Sequence, residues 1–160
     1  MQGFGCDADS REREDRMHTP ILCAVIALVL WTFVMWTWLY ATRIPAMVKG
    51  GIVYDPGRPA SEFMDKIPAR VRWKADNYNH LHEQPTIFYA VAITLSLLAA
   101  GGGLNATLAW AYVALRIVHS LVQATVNLVM LRFAIFVAAS LVLFVLSLRA
   151  ALLLFGGPAA

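Results

Sequence analysis

The stretch ILCAVIALVLWTFVMWTWLYAT, Ile21–Thr42, decides the class of this protein, because it runs for 22 residues without a charge. At about 1.5 Å of rise per residue, a helix of that length crosses a hydrocarbon core of roughly 30 Å. Trp31, Trp36, Trp38 and Tyr40 crowd its second half and Arg43 follows, an order suited to a membrane–water interface. A cleaved signal is disfavoured: the apolar run is too long for an h-region, and Arg43-Ile44-Pro45 stands where small residues would be required.

The remainder of the 160 residues points to the same solvent. The chain is 59% hydrophobic and 14% charged, whereas globular chains average roughly 45–50% apolar and about 25% charged. Too few charges remain to cover a surface that faces water. The 13 Lys+Arg against 10 Asp+Glu give a formal charge of +3, too dispersed for a nucleic-acid stripe. Membrane lipids are the expected partner and nucleic acid is not. Cys6 and Cys23 have neither the number nor the spacing of a disulfide framework or a zinc site.

Further spans follow from the same criterion. Leu81–Ala100 supplies about the 20 residues that a crossing requires, Leu104–Leu131 a third segment ended by Arg132, and Phe133–Phe155 a fourth with Arg149 placed to snorkel out. Gly101–Gly103 reads as the turn between the second and third. The expected architecture is an all-α integral membrane four-helix bundle over 20–155, preceded by a disordered polar extension, 1–19, and followed by a short tail, 156–160. The long polar loop 43–83 and the Arg132 turn hold Arg43, Lys49, Arg58, Lys66, Arg70, Arg72, Lys74 and Arg132; the other side holds Arg11, Arg13 and Arg16. That asymmetry places the loop in the cytoplasm and both termini outside it.

Polar residues at bilayer depth usually face the protein interior and mark function. After Pro68, Arg72, Asp76, Asn79 and Glu83 recur at helical spacing, beside Trp73, Asn77, His80 and Gln84. Pro85 predicts a kink, because it withholds a donor from the Leu81 carbonyl. In the third span Arg116, His119, Ser120, Gln123 and Asn127 form one polar seam. A buried guanidinium requires a carboxylate or an anionic ligand, and Glu83 is the expected partner of Arg116. The histidines show no zinc-site spacing, so no metal is expected.

Three motifs, RIPAM (Arg43–Met47), ADNYNHLHEQPTIFY (Ala75–Tyr89) and ALRIVHSLVQATVN (Ala114–Asn127) followed by Leu131-Arg132-Phe133, resemble the MAPEG superfamily, membrane-associated proteins in eicosanoid and glutathione metabolism, in its bacterial branch. The resemblance covers about Met17 to Phe155. It implies a homotrimer in a bacterial inner membrane, with glutathione as co-substrate or a lipophilic small molecule held between subunits. Glu83 matches the family's glutamate, His80 stands where its asparagine would be with Asn77 and Asn79 on either side, and Lys74 stands for its arginine. Arg72, His119 and Gln123 complete the expected ligand-binding set. Ile117 and Leu121 occupy the positions of the family's tyrosines. Arg116 is the expected activator of the thiol and Arg132 the second candidate. Two functions of different class remain open: a glutathione-dependent transferase or peroxidase, and a non-catalytic protein binding a lipid or small amphipathic ligand. A proton-coupled transporter is a third, disfavoured by the absence of internal repeats.

Overall fold

The computed structural model describes residues 20–53, 55, 57 and 59–156. The polar extension 1–19, with Cys6 and its arginines, and also Arg58 and residues 157–160 lie outside the described residues. The helices are α1 (Pro20–Lys49), α2 (Ala60–Met64), α3 (Ala69–His80), α4 (Gln84–Leu97), α5 (Gly103–Thr125) and α6 (Val129–Phe155), with no strand among the described residues. Helix α5 packs along α6 and α1, α3 sits against α1 and α5, and α4 bridges α1 and α6.

Two helices, α1 and α6, are long and apolar enough to cross a membrane. Each buries one stripe at helical spacing: Ile21, Ala24, Val25, Leu28, Met35 and Leu39 on α1, and Ala139, Leu143, Leu146 and Ala150 on α6. Their other faces expose Ile26, Leu30, Phe33, Leu141, Phe144 and Leu152. Helix α5 inverts the order of a water-soluble helix. It buries Asn105, Arg116, His119, Ser120 and Gln123 while exposing Leu104, Trp110, Val118 and Leu121. Polar groups inside and apolar groups outside are what a lipid solvent selects.

Four departures from the hydropathy-based expectation concern three helix boundaries and the side chain of Arg149. Helix α1 does not stop at Thr42; it runs through Arg43 and Pro45 to Lys49. Gly51 then turns left-handed at φ +57°, and the amides of Gly51 and Ile52 bond Val48 O and Met47 O at 3.2 and 3.0 Å. This is the paired closure that a left-handed residue permits at a helix C-terminus.

Second, the segment entering the expected 81–100 span is broken rather than kinked: α3 ends at His80, α4 begins at Gln84, and Pro85 occupies the opening turn of α4. Proline lacks the donor that a continuing helix needs but fits a first turn, where that donor is surplus.

Third, the third segment does not reach Leu131. Asn127 adopts φ +51° and its amide bonds Val122 O at 2.7 Å, so α5 closes at Thr125 and Arg132 belongs to the start of α6.

Fourth, Arg149 does not simply snorkel: its Nε donates to Asn105 Oδ1, and Asn105 Nδ2 donates to Ala100 O at 2.8 Å. The Ile21 amide bonds Gly101 O at 3.0 Å, so this end of the molecule is laced across three helices.

The turn after α4 has the same paired closure as that after α1, with Ala99 N to Ser96 O and Ala100 N to Leu95 O. Here the left-handed residue that closes the helix is Ala99, at φ +54°; of the three expected glycines Gly103, at φ +53°, is left-handed too, but it begins α5. An L-residue with a Cβ is penalised there. Ala99→Gly therefore stabilises the protein by about 1 kcal/mol, read as a higher unfolding midpoint in detergent, whereas the same replacement at Ala139, inside α6, destabilises it by a similar amount.

Candidate functional site

The site forms where the α3–α4 break faces α5 and the start of α6. A continuous helix would occupy the His80 carbonyl with the next turn; the break frees it, and Arg116 Nη2 donates to it at 2.8 Å. Arg116 is fully buried and is the largest such side chain among the described residues. Its Cζ stands 5.9 Å from the Phe136 ring centroid. Its Nε and Nη1, with both polar atoms of the Asn77 amide, Ser120 Oγ, His119 Nδ1 and Gln123 Oε1, meet no hydrogen-bond partner among the described residues.

Glu83 does not pair with Arg116, contrary to expectation. Its Oε2 lies 2.6 Å from His80 Nδ1. The reason is local: with α3 ended at His80, Glu83 no longer follows the Arg72–Asp76–Asn79 face but turns back upon the last residue of α3. Nor does Arg72 join that face. It reaches Asp65 at 3.1 Å, while Asp76 and Asn79 are exposed.

Lys74 is nearly buried, donating to Arg70 O at 2.7 Å and standing 5.4 Å over the Trp38 ring. Burial lowers its pKa below the ordinary lysine range, and the Arg70 charge lowers it further. Lys74 thus faces α1 rather than the imidazoles.

What the structure does assemble is an open cleft of about 240 Å³ lined by His80, His119, Val129, Arg132, Phe133 and Phe136. The two imidazole centroids are 5.1 Å apart, and His80 lies 5.3 Å from the Phe136 ring. His80 is held below the ordinary imidazole pKa chiefly by burial, against the opposing hydrogen bond that it donates to Glu83, with the Arg116 charge also depressing it. Arg132 enters the cleft with Nη1 bonded to Asn127 Oδ1 and Nε unpartnered among the described residues. Of the expected ligand-binding residues, His80, His119 and Glu83 come together here, Asn77 and Gln123 are sealed behind them, and Arg72, Lys74 and Asn79 stand apart.

Three contributors, Tyr112, Ser140 and Phe136, escaped the sequence reading, which named Gln84 only for its place on the helix. Gln84 Nε2 donates to Ser140 Oγ at 2.6 Å, and Tyr112 Oη donates to Gln84 Oε1 at 3.4 Å, tying α4 to α5 and α6. Phe136 supplies the aromatic floor. The signal for Ser140 was a hydroxyl in an apolar span, which it shares with Ser147; Phe136 gave none.

The profile of the MAPEG family matches residues 21–152. The chain belongs to the MAPEG family. No curated protein and no solved structure matches it significantly. As a MAPEG member with helices able to cross a bilayer, it is a membrane protein. Among the described residues no group of three or more His, Cys, Asp or Glu stands together to hold a metal.

The pairing just described predicts distinct couplings. In a double-mutant cycle, His80→Asn and Glu83→Gln couple by about 0.5 kcal/mol, whereas Arg116→Met and Glu83→Gln add to within about 0.3 kcal/mol. Unfolding of each variant in detergent measures both. Coupling of the second pair at the strength of the first would restore a direct Glu83–Arg116 contact.

Proposed function

We propose that this MAPEG protein is a glutathione-dependent transferase or peroxidase acting on lipophilic substrates, with four transmembrane segments per subunit and a homotrimeric assembly. The observation that carries the proposal is the half-buried Arg132 at the mouth of the His80–His119 cleft. Glutathione is an anion whose reactive form is the thiolate, and a guanidinium near sulfur favours that form electrostatically. Glu83, exposed and hydrogen-bonded to His80, is placed to take an ammonium group. In conjugation, the sulfur donates its electron pair to an electrophilic carbon and the leaving group departs with the pair it shared. In peroxide reduction, two thiols are oxidised to a disulfide while the peroxide becomes alcohol and water.

The burial of the two arginines supports the reverse of their expected order. Arg116 is sealed and holds a backbone carbonyl, so its role is positioning; Arg132 meets the cleft and takes the activating role. Arg132→Gln is expected to raise the pKa of the bound glutathione thiol by about one unit, equivalent to about 1.4 kcal/mol. The absorbance of the thiolate against pH measures this, after calorimetry has established binding to the detergent-purified protein. Absence of glutathione binding to the wild type rejects the proposal.

One observation favours the non-catalytic alternative. No tyrosine among the described residues lines the cleft; Tyr112 is buried and bonded toward Gln84. In that reading the same cleft holds the head of a lipid or a small amphipathic molecule without turnover. Binding of glutathione with no conjugation or peroxide reduction would select it.

The proposed orientation puts the 43–83 loop in the cytoplasm of a bacterial cell, with both termini across the inner membrane. In a variant whose native Cys6 and Cys23 are replaced by serine, a cysteine introduced at the exposed Ser61 should react with an impermeant maleimide only after the membrane is opened. Labelling in intact spheroplasts would invert the topology.

A further inference from the structure

Arg132 opens α6, where it meets an electrostatic problem. The N-terminal end of a helix carries partial positive charge and disfavours a cation, and the first turn of α6 contains no acid. Its chain neighbours Leu128, Val129, Met130, Leu131 and Phe133 are apolar and exposed. No acid in the first turn of α6 therefore fixes where the guanidinium points. The side-chain acceptor that reaches it is Asn127 Oδ1.

Asn127 is itself fixed by the backbone. Its left-handed conformation is one that asparagine tolerates better than most residues with a Cβ, and its amide is anchored to Val122 O at 2.7 Å. From that fixed point its side chain spans the turn to Nη1. The chemistry of the acceptor matters as much as its location. A carboxylate would orient the guanidinium but cancel its charge, whereas an amide oxygen orients it and leaves the full positive charge to act outward. That charge bears on both His80 and His119.

We infer that Asn127 is the positioning residue of the cleft: its side-chain carbonyl holds the Arg132 guanidinium toward His80 and His119 without neutralising it. This rests on the assignment of Arg132 as the thiol-activating cation. The interaction links the α5–α6 turn, which touches no substrate in this scheme, to the electrostatics of the reacting sulfur.

The test separates backbone from side chain. Asn127→Gly keeps the left-handed turn and deletes the acceptor; Asn127→Asp keeps the acceptor and adds a negative charge. The first readout is the rate at which phenylglyoxal modifies Arg132 in the detergent-purified full chain, followed by peptide mass spectrometry with Arg72 as internal reference. Asn127→Gly should raise that rate several-fold relative to Arg72 and Asn127→Asp should lower it. The second readout is the pKa of the bound glutathione thiol, which should rise in both variants, in one because the cation is no longer directed and in the other because it is neutralised. A merely structural turn residue would not move the two variants apart in the first readout and together in the second. An unchanged Arg132 modification rate in Asn127→Gly overturns the inference, and if that variant fails to fold, an unchanged rate in Asn127→Asp does so. Should glutathione neither bind the wild type nor shield Arg132, the glutathione reading fails by itself, and the modification rates still decide whether Asn127 holds the guanidinium.

Discussion

A single hydrogen bond, from Arg116 Nη2 to the carbonyl of His80, fixes the relation between the broken α3–α4 segment and α5. A fully buried guanidinium cannot be left without acceptors in a lipid-embedded interior, and an interrupted helix cannot leave its last carbonyl unpaired there. Each defect relieves the other in part, since Arg116 Nε and Nη1 still meet no partner among the described residues. With the break held at this point, His80 turns its imidazole toward His119, Glu83 folds back to bond it, and Pro85 starts a new helix in a conformation it favours. Sliding α5 by one turn would strand both the charge and the carbonyl, so polar pairing joins the packing of Ala109, Tyr112 and Val113 in setting the register of these helices.

That constraint explains why the interior is layered. Nearest the α3–α4 break lies a polar layer of Asn77, Arg116, His119, Ser120 and Gln123. Beyond it Gln84, Tyr112 and Ser140 form a second polar tie, and the Phe88–Tyr112 stack, with centroids 4.6 Å apart, begins the apolar core that continues through Ala92, Leu95, Ala109 and Leu146. The cleft opens at the polar end, where the chain must turn between α5 and α6. Arg116 and Arg132 thus divide two duties between them: the sealed cation maintains the shape of the wall, and the half-buried one presents charge at its opening.

How far the sequence revealed this depended on whether a feature is local. Hydropathy identified α1 and α6, because uninterrupted apolar runs have no alternative solvent, and the 3.6-residue period identified the buried seam of α5 from Arg116 to Gln123. Helix ends were less legible. Asn127 continued the seam by spacing alone, yet a left-handed turn removed it from the helix, and only tertiary context selects that conformation. Pro85 signalled an interruption, but whether a proline bends a helix or begins one depends on what captures the freed carbonyl, here a guanidinium 36 positions away in sequence. The expected Glu83–Arg116 pair failed for the same reason: helical spacing places residues on a face only while the helix persists. Arg132 was visible as a charge, but its direction was not, since it is decided by a side chain across a turn.

The two ends of the molecule are unequally restrained, and that inequality has a kinetic meaning. At one end the Ile21 amide on Gly101 O, Asn105 on Ala100 O and Arg149 on Asn105 couple α1, α5 and α6 to the α4–α5 turn. Thermal opening there requires several bonds to break together and is accordingly infrequent. At the other end Arg116 holds the His80 wall to α5, but the largely exposed turn between α5 and α6 is tied only locally, by Asn127 to Val122 and to Arg132, so opening of that turn is inexpensive and frequent. Backbone amides of the first group should therefore exchange with solvent far more slowly than those around residues 126–130, and a hydrophobic guest would be admitted and released by fluctuations confined to one half of the protein while the other half keeps the helices in register.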